Sequence, residues 1–204
     1  MRKIKKFKIP LYHYDIYRKA KKIKLDIDNS HFKGQTGLKE FVSVLYSNME
    51  PSTVFEYIKS DSPLWMRLNI ENRQNAATVG AITFGKTFEE KINALSDELE
   101  KKVALLASHI FLISALNMLS ELANEEAKLD GFIVSKPYIL SVWEKENFIN
   151  ISQNESLLNL EPEFINEILI KINSEKIPIN MNDKELSPKY SALYLIPWIT
   201  KNRK

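Results

Sequence analysis

The chain contains no cysteine. That excludes disulfides, thiolate zinc sites, iron–sulfur ligation by thiolates and a cysteine nucleophile, and it fits a reducing compartment. Histidine is almost as scarce: His13, His31 and His109 stand far apart, with neither H-x-x-x-H nor H-E-x-x-H spacing, so no metal site is expected. Only 5 glycines and 8 prolines occur in 204 residues, too few for a low-complexity or disordered chain. Gly34-Gln35-Thr36-Gly37 is too short to cradle phosphates, and no P-loop, dinucleotide fingerprint or G-x-S-x-G is present. Asp26, Asp28 and Ser30 open like a calcium loop, but its sixth position holds His31 and its twelfth Gly37, so the match fails.

Charge is missing from one place in particular. Between Val103 and Ser120 there is no Asp, Glu, Lys or Arg, and apolar side chains cover nearly the whole circumference of the implied helix. A helix apolar all round has to be buried on every side. The run is close to the minimum for a membrane span, roughly 17 to 25 residues. It also contains Ser108, His109, Ser114, Asn117 and Ser120 and lacks an aromatic belt. The reading is therefore a buried core helix, with no membrane span expected.

What charge there is sits unevenly. Residues 1–24 hold ten Lys and Arg against Asp15 alone, a local charge of +9, so the overall +3 leaves −6 for the rest. Such an arm attracts anionic partners or forms a solvated face. No RNA-binding signature accompanies it, and nucleic acid is not an expected partner. The first residues do not pattern as a secretory signal, and a cytoplasmic location is expected.

Taken in order, residues 5–12 suggest a short edge strand and His13 to Lys24 an amphipathic helix. A second helix is expected from Leu38 to Asn48 and a third from Pro51 to Ser60, with the proline in its first turn. Leu64 to Ile70 alternates as a half-buried strand; ENRQN makes a reversal, and Ala76 to Phe84 returns as a central strand. Gly85 then breaks the chain, and Thr87 to Glu90 has the form of a capping box. A second helix start is offered at Asp97 and Glu100, for a long helix ending near Asp130–Gly131. Phe132 to Val134 reads as a brief strand, and residues 137–160 as irregular. Glu161 to Asn173 is a helix with Phe164, Ile165, Ile168, Leu169 and Ile172 inward. Ile177 to Met181 and Tyr190 to Trp198 are expected strands joined by NDKELSPK. The predicted fold is α+β: an antiparallel sheet packed around one long buried helix, with several shorter helices. It forms a single domain over 1–204, residues 1–62 being an N-terminal helical part with the basic arm and 63–199 the sheet and long-helix core.

Catalytic groups are few. Glu89 and Glu90 are adjacent on a helix, so they diverge by about a hundred degrees, and they read as first-turn acids favoured by the helix dipole. His109 falls inside the apolar run and reads as a core histidine with one ring nitrogen satisfied.

Three segments carry a resemblance. TVGAITFGKTFEEKI is similar to the strand, T-I-G and E-E helix start of the activation domain of cobalamin-dependent methionine synthase and its stand-alone homologues. SLLNLEPEFINEILIKI resembles that family's W-P-L-E-x-Q helix, and IPINMNDKELSPKYSALYLI its final strand–turn–strand, in the same order and spacing over residues 64–199. The resemblance implies an accessory protein of corrinoid-dependent methyl transfer, which reactivates or docks on a cobalamin-binding partner. The implied partner is a corrinoid protein or a cobalamin-dependent methyltransferase. S-adenosylmethionine is the candidate ligand, and cobalamin is reached only through the partner. The family's R-x-x-x-G-Y segment has no counterpart here, where ISQNES precedes Leu160. The implied ligand residues are therefore Thr83 and Gly85 at the strand–helix turn, Lys136, Pro137 and Tyr138, and Ser187, Pro188 and Lys189 in the last hairpin. The alternative reading is a non-enzymatic protein-binding module with no small-molecule ligand, using the basic arm and the aromatics Trp143 and Trp198.

Overall fold

A computed structural model describes residues 2–68, 74–152, 158 and 160–200. Among these the fold is α+β, a curled antiparallel sheet with the long helix packed against it. The sheet strands are β1 (Arg2–Lys5), β2 (Ser52–Lys59), β3 (Gln74–Thr83), β4 (Phe132–Val134), β5 (Tyr138–Val142) and β8 (Ser191–Thr200). The order is β1-β2-β3-β8-β4, and β5 also pairs with β8. A separate hairpin joins β6 (Asn180–Asn182) to β7 (Glu185–Ser187). The helices are α1 (His13–Lys22), α2 (Gln35–Ser47), α3 (Pro63–Leu68), α4 (Lys86–Asn93), α5 (Glu98–Leu129), α6 (Lys145–Ser152) and α7 (Pro162–Lys171).

Strand alternation divides the sheet between two cores. Phe55, Ile82, Tyr194 and Ile196 point to the side where α1, α2, α4, α5 and α6 pack. Val54, Ile58, Val79, Ala81, Leu193 and Leu195 point to the other side, against α3, α7 and the β6–β7 hairpin. The central strands β3 and β8 are therefore covered on both faces, which is why they read as almost continuously apolar.

Helix α5 is buried over most of its uncharged run but not on every side, Asn117 being exposed and Leu105, Ile113, Met118 and Ser120 half-buried. Val103, Ala104, Leu106, Ala107, Phe111, Leu112, Ala115, Leu116 and Leu119 are all buried, and Asp97 caps the start by accepting a hydrogen bond from Glu100 N at 2.9 Å. Each large aliphatic side chain sunk this way contributes roughly 1.5–3 kcal/mol. By length and composition α5 could also cross a membrane, and 61% of its most apolar 18-residue window is buried inside the protein. Its end is a left-handed glycine, Gly131 at φ 78°.

Several local expectations are overturned. The helix predicted from Pro51 to Ser60 is strand β2, because Ser52-Thr-Val-Phe-Glu-Tyr-Ile is rich in β-branched and aromatic residues. It is held between β1 and β3 in ladder pairing. Residues 1–62 thus supply two sheet strands as well as helices. The strand predicted from Leu64 to Ile70 is helix α3 over its described part, with Ile70 itself outside the described residues. Trp65 and Leu68 sit inward at helical spacing, Met66 faces water, and Ser62 Oγ accepts from Trp65 N at 3.2 Å. The partners of β3 are accordingly β2 and β8. Most of the ENRQN reversal lies outside the described residues; Gln74 and Asn75 already belong to β3.

The edge strand expected over 5–12 lies earlier, at Arg2–Lys5, and ends where Lys6 takes a positive φ of 52°. The capping box at Thr87 is not formed: α4 starts at Gly85, φ 89°, with no side-chain cap. Of the stretch 137–160 expected to be irregular, 138–142 is β5 and 145–152 is α6, while 153–157 and 159 lie outside the described residues. The strand expected from Ile177 to Met181 reduces to Asn180–Asn182, and its hairpin partner is β7 rather than β8. Ala76 to Thr83 is central as expected, α7 buries all five of its predicted inward residues, and Phe132–Val134 is a strand.

The glycine of the T-V-G segment has a steric reason to be there. Gly80 pairs with Tyr194 across the β3–β8 ladder, and a Cβ at Gly80 would lie 2.5 Å from the Tyr194 ring and 2.8 Å from Phe55 Cβ. The Tyr194 hydroxyl lies 3.0 Å from Thr53 Oγ1, which donates to Ala81 O at 2.8 Å. A tyrosine thus crosses the bare strand to pin β2, β3 and β8 together. Gly80→Ala should lower unfolding stability by about 3 kcal/mol, the upper end of overpacking, because the added Cβ meets two buried side chains at once. Gly131→Ala meets no atom within 4 Å and should cost only about 1–2 kcal/mol of left-handed strain. Urea denaturation of the two variants ranks them; equal losses would contradict the steric reading.

Candidate functional site

The end of β3 and the start of β8 are one place. Thr83 pairs with Ser191, and Phe84 N donates to Tyr190 O at 3.1 Å. Thr83 is buried, and its Oγ1 accepts from Gly85 N at 3.1 Å, which shapes the turn into α4. A side chain at Gly85 would need an unfavourable positive φ and would press on Glu50 Cβ at 3.3 Å. One turn into α4, Glu89 Oε2 accepts the backbone N–H of Lys189 at 3.1 Å. The acid read as a helix-dipole partner is therefore also the strap that holds the segment following β7.

That segment is Ser187-Pro188-Lys189-Tyr190, with a cis bond at Ser187–Pro188. Lys189 Nζ pairs with Glu144 at 3.2 Å and lies 6.0 Å from the Tyr190 ring centre. Glu144 itself is held at φ 43°, a conformation that costs a non-glycine residue of order 1 kcal/mol and that recurs at functional sites. The Lys189–Glu144 pair stands between two clefts. One, of about 450 Å³, is lined by Ser141 to Lys145 and by Lys184 to Leu186. The other, of about 270 Å³, opens on Lys101, Lys102, Leu105 and Tyr190.

The floor of this region is aromatic and rigid. Tyr190 packs edge-on against Phe88 and Trp143, with ring centres 5.2 and 5.4 Å away, and burial pushes its hydroxyl up to about 12. Trp143 is fixed by α5 at two points: its indole Nε1 donates to Ser108 Oγ at 3.3 Å, and its carbonyl lies 3.3 Å from His109 Nε2. The His109 ring stacks on the indole, 5.2 Å between centres and 12° from parallel. With a carbonyl facing Nε2, the proton of the neutral ring belongs there. Nδ1 is left buried with no partner among the described residues. One ring nitrogen is thus satisfied, as the core reading of this histidine expected.

The sequence candidates divide. Thr83, Gly85, Ser187, Pro188 and Lys189 come together at this end of the sheet. Lys136, Pro137 and Tyr138 do not join them: Tyr138 pairs with Leu195, four residues along β8 from Ser191 and so about 13 Å away at strand spacing. Tyr138 packs against the opposite core, and Lys136 is exposed. Glu89, Glu144 and the Ser108–His109–Trp143 contacts went unassigned as site residues. The two E-E acids were visible but gave no hint of a cross-chain bond, and nothing in the spacing of Glu144 marks it. Among the described residues no cluster of metal-ligating side chains occurs.

No protein-family model matches the chain, and no curated protein sequence matches it.

Burial holds the His109 imidazole down to about 4, from an ordinary 6.5, against smaller opposing effects of the Trp143 carbonyl and Glu144. Between these values the unfolded chain binds a proton that the folded chain refuses, so stability rises with pH across this window. Taking the pH from 7 down to 4 should therefore remove about 3 kcal/mol attributable to this one group. Denaturation midpoints of the wild type and His109→Gln, compared at pH 7 and pH 4.5, isolate it: the variant should show the smaller loss on acidification.

Proposed function

We propose that the protein is an accessory protein of corrinoid-dependent methyl transfer, which docks on a cobalamin-binding partner and protects or reactivates its cofactor. The observation that carries the reading is a junction. The two most distinctive segments of the resemblance, FGKTFEE and ELSPKYS, meet through the Glu89–Lys189 bond, while β3 and β8 lie side by side. Segments a hundred residues apart that keep one motif order and meet at one junction are what a common architecture requires.

S-adenosylmethionine is the small molecule of this reading, and it would supply a methyl group on a positively charged sulfur. The residues present suit its charges. Glu144 offers a carboxylate to the ammonium of the amino-acid tail, and Lys189 and Lys184 offer cations to its carboxylate. Trp143 lines the same cleft. Binding would exchange the Lys189–Glu144 pair for two pairs with the ligand, so its cost is the loss of one half-exposed contact worth about 0–1 kcal/mol. Cobalamin reaches the site only on the partner. The alternative, a protein-binding module anchored by Trp143 and Trp198, draws little from those residues, since each shows only a small edge to solvent at a cleft rather than a projecting side chain.

Calorimetry with S-adenosylmethionine and, separately, with a cobalamin-loaded corrinoid protein tests the proposal. Binding of either, weakened about tenfold by Lys189→Met through the lost charge-assisted contact, is the expected result. Silence with both would remove the corrinoid role and leave the module.

A further inference from the structure

At the other end of the sheet lies a cavity that the proposed function does not use. It has a volume of about 580 Å³ and sits where β2 ends, β3 begins and α5 meets β4. Ala76 pairs with both Lys59 and Trp198 there, seven residues along β3 from Thr83, roughly 23 Å from the first site. We propose that this cavity binds a small organic cation with an apolar body, an aryl- or alkylammonium, as a second ligand site independent of the corrinoid reading.

Its size is that of pockets that enclose small ligands. The body of the ligand would rest on aromatic surface. Tyr57 and Trp198 stand 5.0 Å apart at 60°, Phe132 closes on Trp198 at 6.3 Å, and the Trp198 indole is fixed by donating to Thr78 Oγ1 at 3.0 Å. Beside them Leu129, the last residue of α5, is 84% exposed, an apolar side chain left at the mouth. The Tyr57 hydroxyl is buried and lacks a hydrogen-bond partner among the described residues, a cost of roughly 1–3 kcal/mol that a ligand atom would relieve.

The sign of the ligand's charge follows from the rim. Among the described residues Asp61, Glu126 and Asp130 line the cavity against Lys59. Glu126 is already taken by Arg2, whose guanidinium donates to both carboxylate oxygens, one at 2.9 Å, and lies 5.7 Å from the Tyr57 ring centre. The protein thus places a cation of its own against this ring. Asp61 and Asp130 are left to outweigh Lys59 at the open side. Aromatic faces under a net negative rim attract cations and repel carboxylates.

The test uses the full chain and three probes of equal shape: 2-phenylethylammonium, 2-phenylethanol and 3-phenylpropionate. Dissociation constants come from tryptophan fluorescence, with binding confirmed by saturation-transfer NMR. The cation should bind best and the carboxylate at least about tenfold more weakly. In the double variant Asp61→Asn, Asp130→Asn, whose sites are exposed and safe for folding, the gap between cation and alcohol should close. Tyr57→Phe should weaken all three probes several-fold. No binding of the cation, equal binding of the cation and the carboxylate, or an unchanged preference in the double variant would each overturn the proposal. The outcome leaves the Glu144–Lys189 cleft untouched, because neither variant lies near it.

Discussion

The middle of α5 is too apolar to face water over most of its surface, and the rest of the chain is arranged around burying it. A single sheet covers one flank of a helix; covering more of it requires the sheet to curl and further helices to close the remainder. This is how α1, α2, α4 and α6 come to share one core with α5 and the Phe55–Tyr194 face of the sheet. The strands that make the curl must then be buried on their outer face too, and α7 with the β6–β7 hairpin supplies that second layer. Two cores separated by β2, β3 and β8 follow from one uncharged helix.

The same demand explains which parts of the fold were legible from residues alone. Long-range burial leaves a long pattern: α5, its Asp97 cap, its glycine stop, α7 and the central strand β3 were all readable because many residues repeat one message. Short elements fail where two local rules compete. Pro51 obeys the rule for a first helical turn, yet Thr53, Val54, Phe55, Tyr57 and Ile58 favour a strand, and pairing with β1 and β3 decides it. Leu64, Met66 and Leu68 alternate like a strand, but inward Trp65 and Leu68 fit one helical turn, and only the packed structure chooses between them.

The candidate site was legible to the extent that it is backbone. Thr83, Gly85 and Lys189 mark turns, and turns announce themselves through glycine, proline and polar residues. Glu144 and the fixing of Trp143 by Ser108 and His109 depend on which groups the fold brings together across 34 residues or more. Lys136, Pro137 and Tyr138 were a basic–aromatic cluster in sequence, but β5 runs antiparallel along β8, so Tyr138 lies beside Leu195 and only the far end of the strand, Ser141 and Val142, reaches the cleft.

The two ends of the sheet differ in the chemistry they offer because the long helix runs between them. Near its start, Lys101 and Lys102 face a cleft shared with Lys189 and Glu144; near its finish, Glu126 and Asp130 border aromatic rings. Both groups depart from what the helix dipole alone favours, which is acid at the start and base at the finish. The true first turn obeys the rule with Glu98 and Glu100, and the last turn holds Lys128. Glu125, as near the finish as Glu126, also breaks it without lining that cavity, and it pairs with Lys128 at 2.9 Å. Local pairing offsets the few tenths of a kilocalorie lost to the dipole: Lys101 pairs with Glu98 one turn back, and Glu126 holds Arg2 and with it the edge strand β1.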